Sequence, residues 1–102
     1  MSIFSLFQKP TLDESVSEAK KCGGILLDVR THEEFLQGHI PGAINIPLDT
    51  LAKASIPSGK LFVYCRSGAR SAQAVRFLKT QGKDAVNIGG ILHYHGAIER
   101  TH

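Results

Sequence analysis

The feature that most constrains this chain is a pair of short, almost uninterrupted apolar runs. They are Ile25-Leu26-Leu27-Asp28-Val29 and Leu61-Phe62-Val63-Tyr64, each bounded by glycine or polar residues. A strand with one wet face alternates apolar and polar residues, whereas a strand covered on both faces reads as a continuous apolar run. The runs therefore point to a parallel sheet. Between them lie helix signals. Thr11-Leu12-Asp13-Glu14 has the form of a capping box and opens a helix toward Lys21, stopped by Gly23-Gly24. Thr31-His32-Glu33-Glu34 repeats that form and starts a short helix ending near Gly38. After Pro41-Gly42, residues 43–46 read as a second strand and 48–52 as a short helix. Residues 71–81 form an amphipathic helix with Ala72, Val75, Phe77 and Leu78 apolar, ended by Gly82, and 85–88 supply another strand. Residues 2–7 are a candidate first edge strand. This alternation predicts a layered α/β fold, a mostly parallel sheet with helices on both faces.

With 102 residues, 42% of them hydrophobic, the chain is expected to be one domain over residues 1–102, large enough to bury a core. Neither an internal repeat nor a polar linker divides it. Twelve Lys and Arg against nine Asp and Glu give a formal charge of +3. That excess comes without the basic run of a nucleic-acid tail or membrane anchor, so neither partner is expected, and it leans toward small anions. No stretch approaches the roughly 20 apolar residues that span a bilayer. The apolar group at residues 3–7 lacks a basic leader and a small-residue cleavage site, so a cytoplasmic location is expected. Two cysteines, Cys22 and Cys65, are too few for a disulfide framework or a zinc site, and at least one free thiol is expected. His93 and His95 alternate along an extended segment, but two ligands do not close a metal site; no metal and no cofactor are expected.

Cys65-Arg66-Ser67-Gly68-Ala69-Arg70-Ser71 sits between an apolar strand and an amphipathic helix. Cys65 therefore falls at the carboxyl end of a strand, the edge where open α/β sheets bind ligands. A tight loop there turns backbone N–H groups inward and leads into a helix N-terminus, whose unpaired amides and partial positive charge attract anions. Gly68 permits a positive φ or a close backbone approach, and Ala69 keeps the interior narrow. A free cysteine, with a pKa of about 8.5, is mostly protonated at neutral pH; a helix N-terminus and nearby arginines lower that value. Cys65 is the candidate nucleophile, and Arg66 and Arg70 are candidate holders of the oxygens of an anionic donor. A lone cysteine at a strand end is more often a small core residue. A core cysteine, however, does not call for two arginines, a glycine and a small residue in the next five positions before a helix.

These residues bring the rhodanese family into view. Leu26-Leu27-Asp28-Val29-Arg30 followed by Glu33-Glu34-Phe35 resembles the family's first signature, and residues Gly38-His39-Ile40-Pro41-Gly42-Ala43-Ile44-Asn45-Ile46-Pro47 resemble its second. The Cys65 to Ser71 segment resembles the active-site loop, and Asn87-Ile88-Gly89-Gly90-Ile91 the segment near the family's end. Four matches in order are far more specific than one short motif. The resemblance implies a rhodanese-like three-layer domain with a five-stranded parallel sheet, and a two-step sulfur transfer. Cys65 thiolate would attack the outer sulfur of thiosulfate or a related small anionic donor, release sulfite and keep a persulfide. A thiophilic acceptor, cyanide in the laboratory or a cellular thiol, would then take the sulfur, and a sulfur-relay protein is an implied partner. The usual final aromatic of the last segment, often Trp, is replaced by Leu92-His93-Tyr94-His95, with Tyr94 expected to fill its packing role.

Rival chemistries are weaker. Phosphatases and arsenate reductases of related fold carry five residues between Cys and Arg; here there are four, Arg66 to Ala69, a narrower ring suited to one sulfur atom rather than a tetrahedral oxyanion. Rhodanese-like domains that serve as non-catalytic binding modules lack the cysteine. A Cys22–Cys65 disulfide fails on geometry: Cys22 precedes a strand and Cys65 ends one, which separates them by about 15 Å in a parallel sheet, whereas Cα atoms must approach within about 7 Å. Arg30 is expected to pair with Glu33 or Glu34, and His39 to bridge backbone groups. Asp28, at a strand end on the ligand-binding edge, is kept as a supporting residue of the site.

Overall fold

A computed structural model of the chain describes residues 9–101. Helix α1 (Leu12–Cys22) leads into strand β1 (Ile25–Asp28), followed by α2 (His32–Gln37), β2 (Ile44–Asn45) and a 3-10 helix over Leu48–Lys53. Then come β3 (Leu61–Cys65), α3 (Ala69–Thr80), β4 (Ala85–Gly90) and a short 3-10 helix over Ile91–His93. The sheet has the order β2-β1-β3-β4, and every pairing is parallel. Four strands stand among the described residues where five were expected. The expected first edge strand at residues 2–7 lies outside the described residues. None of the helices described is long and apolar enough to cross a membrane.

Strand parity divides the core into two layers. Leu26, Phe62, Tyr64 and Ile88 pack with Leu12, Val16 and Ala19 of α1 and with Ile40. Leu27, Val29, Leu61, Val63, Cys65 and Ala85 pack on the other face against Ala74, Val75 and Leu78 of α3 and Leu51 of the 3-10 helix. All five residues of β3 are buried, which is why its sequence lacks polar alternation. Both capping boxes form as expected: Thr11 and Thr31 hydroxyls accept the N–H of Glu14 and Glu34, and those carboxylates accept the threonine N–H groups in return. Helix α3 begins two residues earlier than its apolar pattern suggested, because Gly68 takes up φ +105° and turns the chain at once into the helix. Arg70 and Ser71 are therefore first-turn helical residues rather than loop residues.

Two ion pairs fix the elements that carry the loop. Arg30 pairs with Asp28, not with Glu33 or Glu34 as expected: its Nε donates to Oδ1 at 3.0 Å, and its Nη2 to Oδ2 at 2.6 Å and to the Gly38 carbonyl at 2.7 Å. Asp28 is fully buried, and no other charge in the strand neutralises it, so the guanidinium two residues on folds back over it. Glu34 is thereby left for Arg70, whose Nη1 and Nη2 donate to its two carboxylate oxygens at 2.7 and 2.9 Å. One carboxylate thus completes the cap of α2 and anchors the first turn of α3. The Arg70 hydrogen bonds hold the Glu34 carboxyl down, from the ordinary 4.5 to about 2.

Two outcomes are expected. An unfolded Glu34 takes up its proton near pH 4.5 while the folded one resists until about pH 2, so its contribution to stability is present above 4.5 and is lost as the pH falls through about 2. Urea melts should show the wild type losing more stability across that window than Glu34→Gln, which keeps a capping acceptor without the charge. Gly90 runs beneath the Cys65–Gly68 loop so closely that a Cβ there would collide with the Arg66 carbonyl and the Ser67 Cα. Backbone cannot yield cheaply, and Gly90→Ala should cost about 1–3 kcal/mol in the same melts.

Candidate active site

Cys65 is the last residue of β3 and lies on the α3 side of the sheet, 1% exposed. Burial by itself pushes a thiol up, since it penalises the charged form. Against burial stand the Ser71 hydroxyl, 3.4 Å from Sγ, and the backbone N–H groups of Ser71, Gly68 and Ser67. The Gly68 N–H donates directly to Sγ at 3.0 Å. These donors outweigh the burial and hold the Cys65 thiol below its ordinary value. They are the unpaired amides expected where a helix begins, and α3 has no side-chain cap that would take them up.

Asn87 on β4 braces the loop. Its Nδ2 donates to the Gly68 carbonyl at 3.1 Å, and its Oδ1 accepts from the Ser71 hydroxyl at 2.7 Å and from the Gly89 N–H at 3.0 Å. A register shift lets it do so: Val63 stands opposite Asn87 but Tyr64 opposite Gly89, so the bulge bends β4 under the loop.

The candidate residues fall into distinct positions. Ser67, Gly68 and Ser71 converge on Cys65 Sγ, the first two by backbone and the last by its buried side chain as well. Ala69 is exposed and opens α3. Arg66 is exposed and has no side-chain hydrogen bond among the described residues. It lines an open groove of about 270 Å³ together with Arg30, Glu34, Gln37, Leu92 and Ile98. Arg70 points instead to Glu34, so its charge is already met within the protein. Asp28 is taken up by Arg30 and has no hydrogen bond to the loop. A larger groove, about 930 Å³, runs between α1 and β4 from Lys9 to Gly89 but does not include Cys65. Donors converging on a sulfur, rather than groove size, single out the chemistry.

Other singled-out side chains have structural partners. His39 Nδ1 donates to the Phe35 carbonyl at 2.8 Å, its ring stacks on Phe35, and its backbone pairs with Glu99. His95 Nδ1 lies 2.9 Å from Asp13 of α1. Tyr94 packs against the α1-side core. Cys22 is exposed at the end of α1, while Cys65 is buried at the far end of the parallel β1–β3 pair, and both thiols are free. The sequence marks Glu34 as a cap and as a candidate partner of Arg30 rather than of Arg70, and it assigns Asn87 no task of its own. Glu34 is concealed by its capping role; Asn87 is an amide within a strand between two apolar residues, just before two glycines, which is a signal of a side chain with a polar task.

The rhodanese-like domain family matches residues 12–97. A sulfurtransferase of Allochromatium vinosum is 39% identical over 77 residues, covering 72% of this chain and 67% of that protein. The thiosulfate sulfurtransferase PspE of Escherichia coli is 38% identical over 71 residues, covering 64% of this chain and 68% of that protein. The chain spans only 45% of the length of YrkF of Bacillus subtilis, a candidate sulfur carrier by name, at 35% identity over 92 residues. The crystal structure of a rhodanese-like domain protein from Staphylococcus aureus superimposes with a TM-score of 0.79 at 33% identity, covering 90% of this chain and 96% of that one. With the family's match spanning both cores and the Cys65 loop, the chain belongs to the rhodanese-like domain family.

Proposed function

We propose that this chain is a sulfurtransferase that moves a sulfane sulfur from thiosulfate, or a related small anionic donor, to a thiophilic acceptor by way of a persulfide on Cys65. The observation that carries the reading is the convergence of the Gly68 amide and the Ser71 hydroxyl on a buried sulfur at a helix N-terminus. Relatives named for sulfur transfer and sulfur carriage support it.

In the first step the Cys65 thiolate attacks the outer sulfur of thiosulfate. A bond forms between Sγ and that sulfur, the sulfur–sulfur bond of the donor breaks, and sulfite leaves with the electron pair. Cys65 then carries a terminal sulfur with one negative charge. Rates of such exchanges depend on thiolate fraction, leaving group and access. The depressed Cys65 thiol serves the first of these, and the loop N–H groups supply donors where the charge resides in each state. In the second step a nucleophile, cyanide or a thiolate, takes the terminal sulfur and returns Cys65 to the thiolate. The chain's own groups need transfer no proton in either step. Arg66, exposed beside the loop and without a side-chain partner among the described residues, is the residue that meets the sulfonate oxygens of the donor; Arg70, clamped by Glu34, holds the loop in shape.

Intact mass measured after incubation with thiosulfate should rise by one sulfur atom and fall back on addition of cyanide, with thiocyanate released. Cys65→Ala should show neither change; sulfur gain in that variant would sink the mechanism. Arg66→Ala should mainly raise the apparent KM for thiosulfate, by about tenfold if one charge-assisted contact is lost, with kcat little changed. Hydrolysis of an aryl phosphate without sulfur gain would favour the phosphatase reading.

A further inference from the structure

The Ser71 hydroxyl has more acceptors than protons. It lies 2.7 Å from Asn87 Oδ1, 3.1 Å from the Gly68 carbonyl and 3.4 Å from Cys65 Sγ, yet it carries one hydrogen and donates to one of them at a time. Ser71 is fully buried, so water does not relieve the competition. The orientation of the Asn87 amide is fixed by its other contacts: a backbone N–H, that of Gly89, must meet an oxygen, and a backbone carbonyl, that of Gly68, must meet an NH2 group. The shortest acceptor of the Ser71 proton is therefore the Asn87 carbonyl.

We infer that Asn87 is a positioning residue for Cys65, acting through Ser71: it holds the hydroxyl as a donor shared between its own Oδ1 and the cysteine sulfur, and so sets how readily the thiolate forms. The inference rests on the reading of Cys65 as the sulfur-carrying nucleophile. While Cys65 is a thiol, the hydroxyl stays on Asn87. When the sulfur is charged, the hydroxyl turns to Sγ, where a bond to a charged acceptor is stronger. Asn87 Oδ1 is not stranded by that turn, because the Gly89 N–H still donates to it. In the persulfide Sγ is bonded and uncharged, and the hydroxyl swings back. The competition thus favours the thiol and the loaded sulfur over the bare thiolate.

The charged groups around Cys65 lie on other elements and remain in place when Asn87 is changed. Arg70 on α3 senses the Cys65 charge but is paired with Glu34 of α2; Asp28 and Arg30 pair with each other after β1; Arg66 projects from the loop into the groove. Among the described residues of β4 there is no titratable side chain.

The test is the pH dependence of iodoacetamide alkylation at Cys65, read by peptide mass because the exposed Cys22 also reacts. Asn87→Ala frees the hydroxyl for Sγ and should lower the alkylation midpoint by about 0.5–1 pH unit. Asn87→Asp, a charged and stronger acceptor, should raise it. In a Ser71→Ala background the Asn87→Ala shift should vanish and the Asn87→Asp rise should shrink. A purely structural brace would shift the midpoint the same way in both Asn87 variants, or in neither, and would not depend on Ser71; either result overturns the inference. If Asn87→Ala does not fold by circular dichroism, the Asn87→Asp midpoint decides alone, and an unmoved or lowered value overturns it. Alkylation reads the thiol without any sulfur transfer. The expected shifts in a protein that takes no sulfur from thiosulfate or organic persulfides would thus remove the sulfur-transfer reading while leaving the link from Asn87 to Cys65 intact.

Discussion

A sulfur buried at the end of a fully covered strand becomes useful only if something replaces the water it has lost. β3 forces the issue. Its five residues alternate between two cores, and parity delivers Cys65 to the α3 side with 1% exposure. Left there without donors, the thiol would be held protonated and inert. The chain escapes this by starting a helix at once, so that first-turn amides, which find no acceptor within the helix, are turned back on the sulfur. Gly68 makes the sharp entry possible, and Gly90 lets β4 pass directly underneath. The rest of the loop's architecture serves that replacement of water by backbone.

The loop is held at several points, each from a different element. Asn87 reaches from β4 to the Gly68 carbonyl and the Ser71 hydroxyl; Glu34 reaches from α2 to Arg70; the Leu92 N–H from the closing 3-10 helix meets the Arg66 carbonyl. A loop bonded on so many sides loses little freedom when an anion enters, which is the condition for preformed donors to act without reorganising. Asp28 contributes less directly: by engaging Arg30 it leaves Glu34 free for Arg70.

Much of the fold and part of the site are legible in the residues. The two apolar runs and the two capping boxes sit where their physics requires, since double-sided burial and helix entry leave marks in a few adjacent residues. The convergence of the loop amides on Cys65 is also legible, because strand, loop and helix are contiguous. What resists reading is what depends on distant residues. Glu34 and Arg70 are 36 positions apart, and nearby Arg30 is the obvious partner until Asp28 is found to need it. Asn87 gains its reach from a bulge whose existence is a property of two strands together. The start of α3 is missed for a related reason: apolar periodicity marks where a helix packs, not where a glycine first bends the chain.

The closed pair between Glu34 and Arg70 has a consequence for how the site stores charge. Because Arg70 is already neutralised, an anionic sulfur on Cys65 rests on fixed dipoles from the loop and α3 rather than on a net positive charge. Dipoles packed against a buried atom are little affected by dissolved ions, whereas the exposed Arg66 lies within reach of counterions over about 8–10 Å at ordinary ionic strength. In the proposed transfer, capture of a donor and custody of its sulfur would thereby be separated electrically. Salt would weaken the first and leave the second almost untouched.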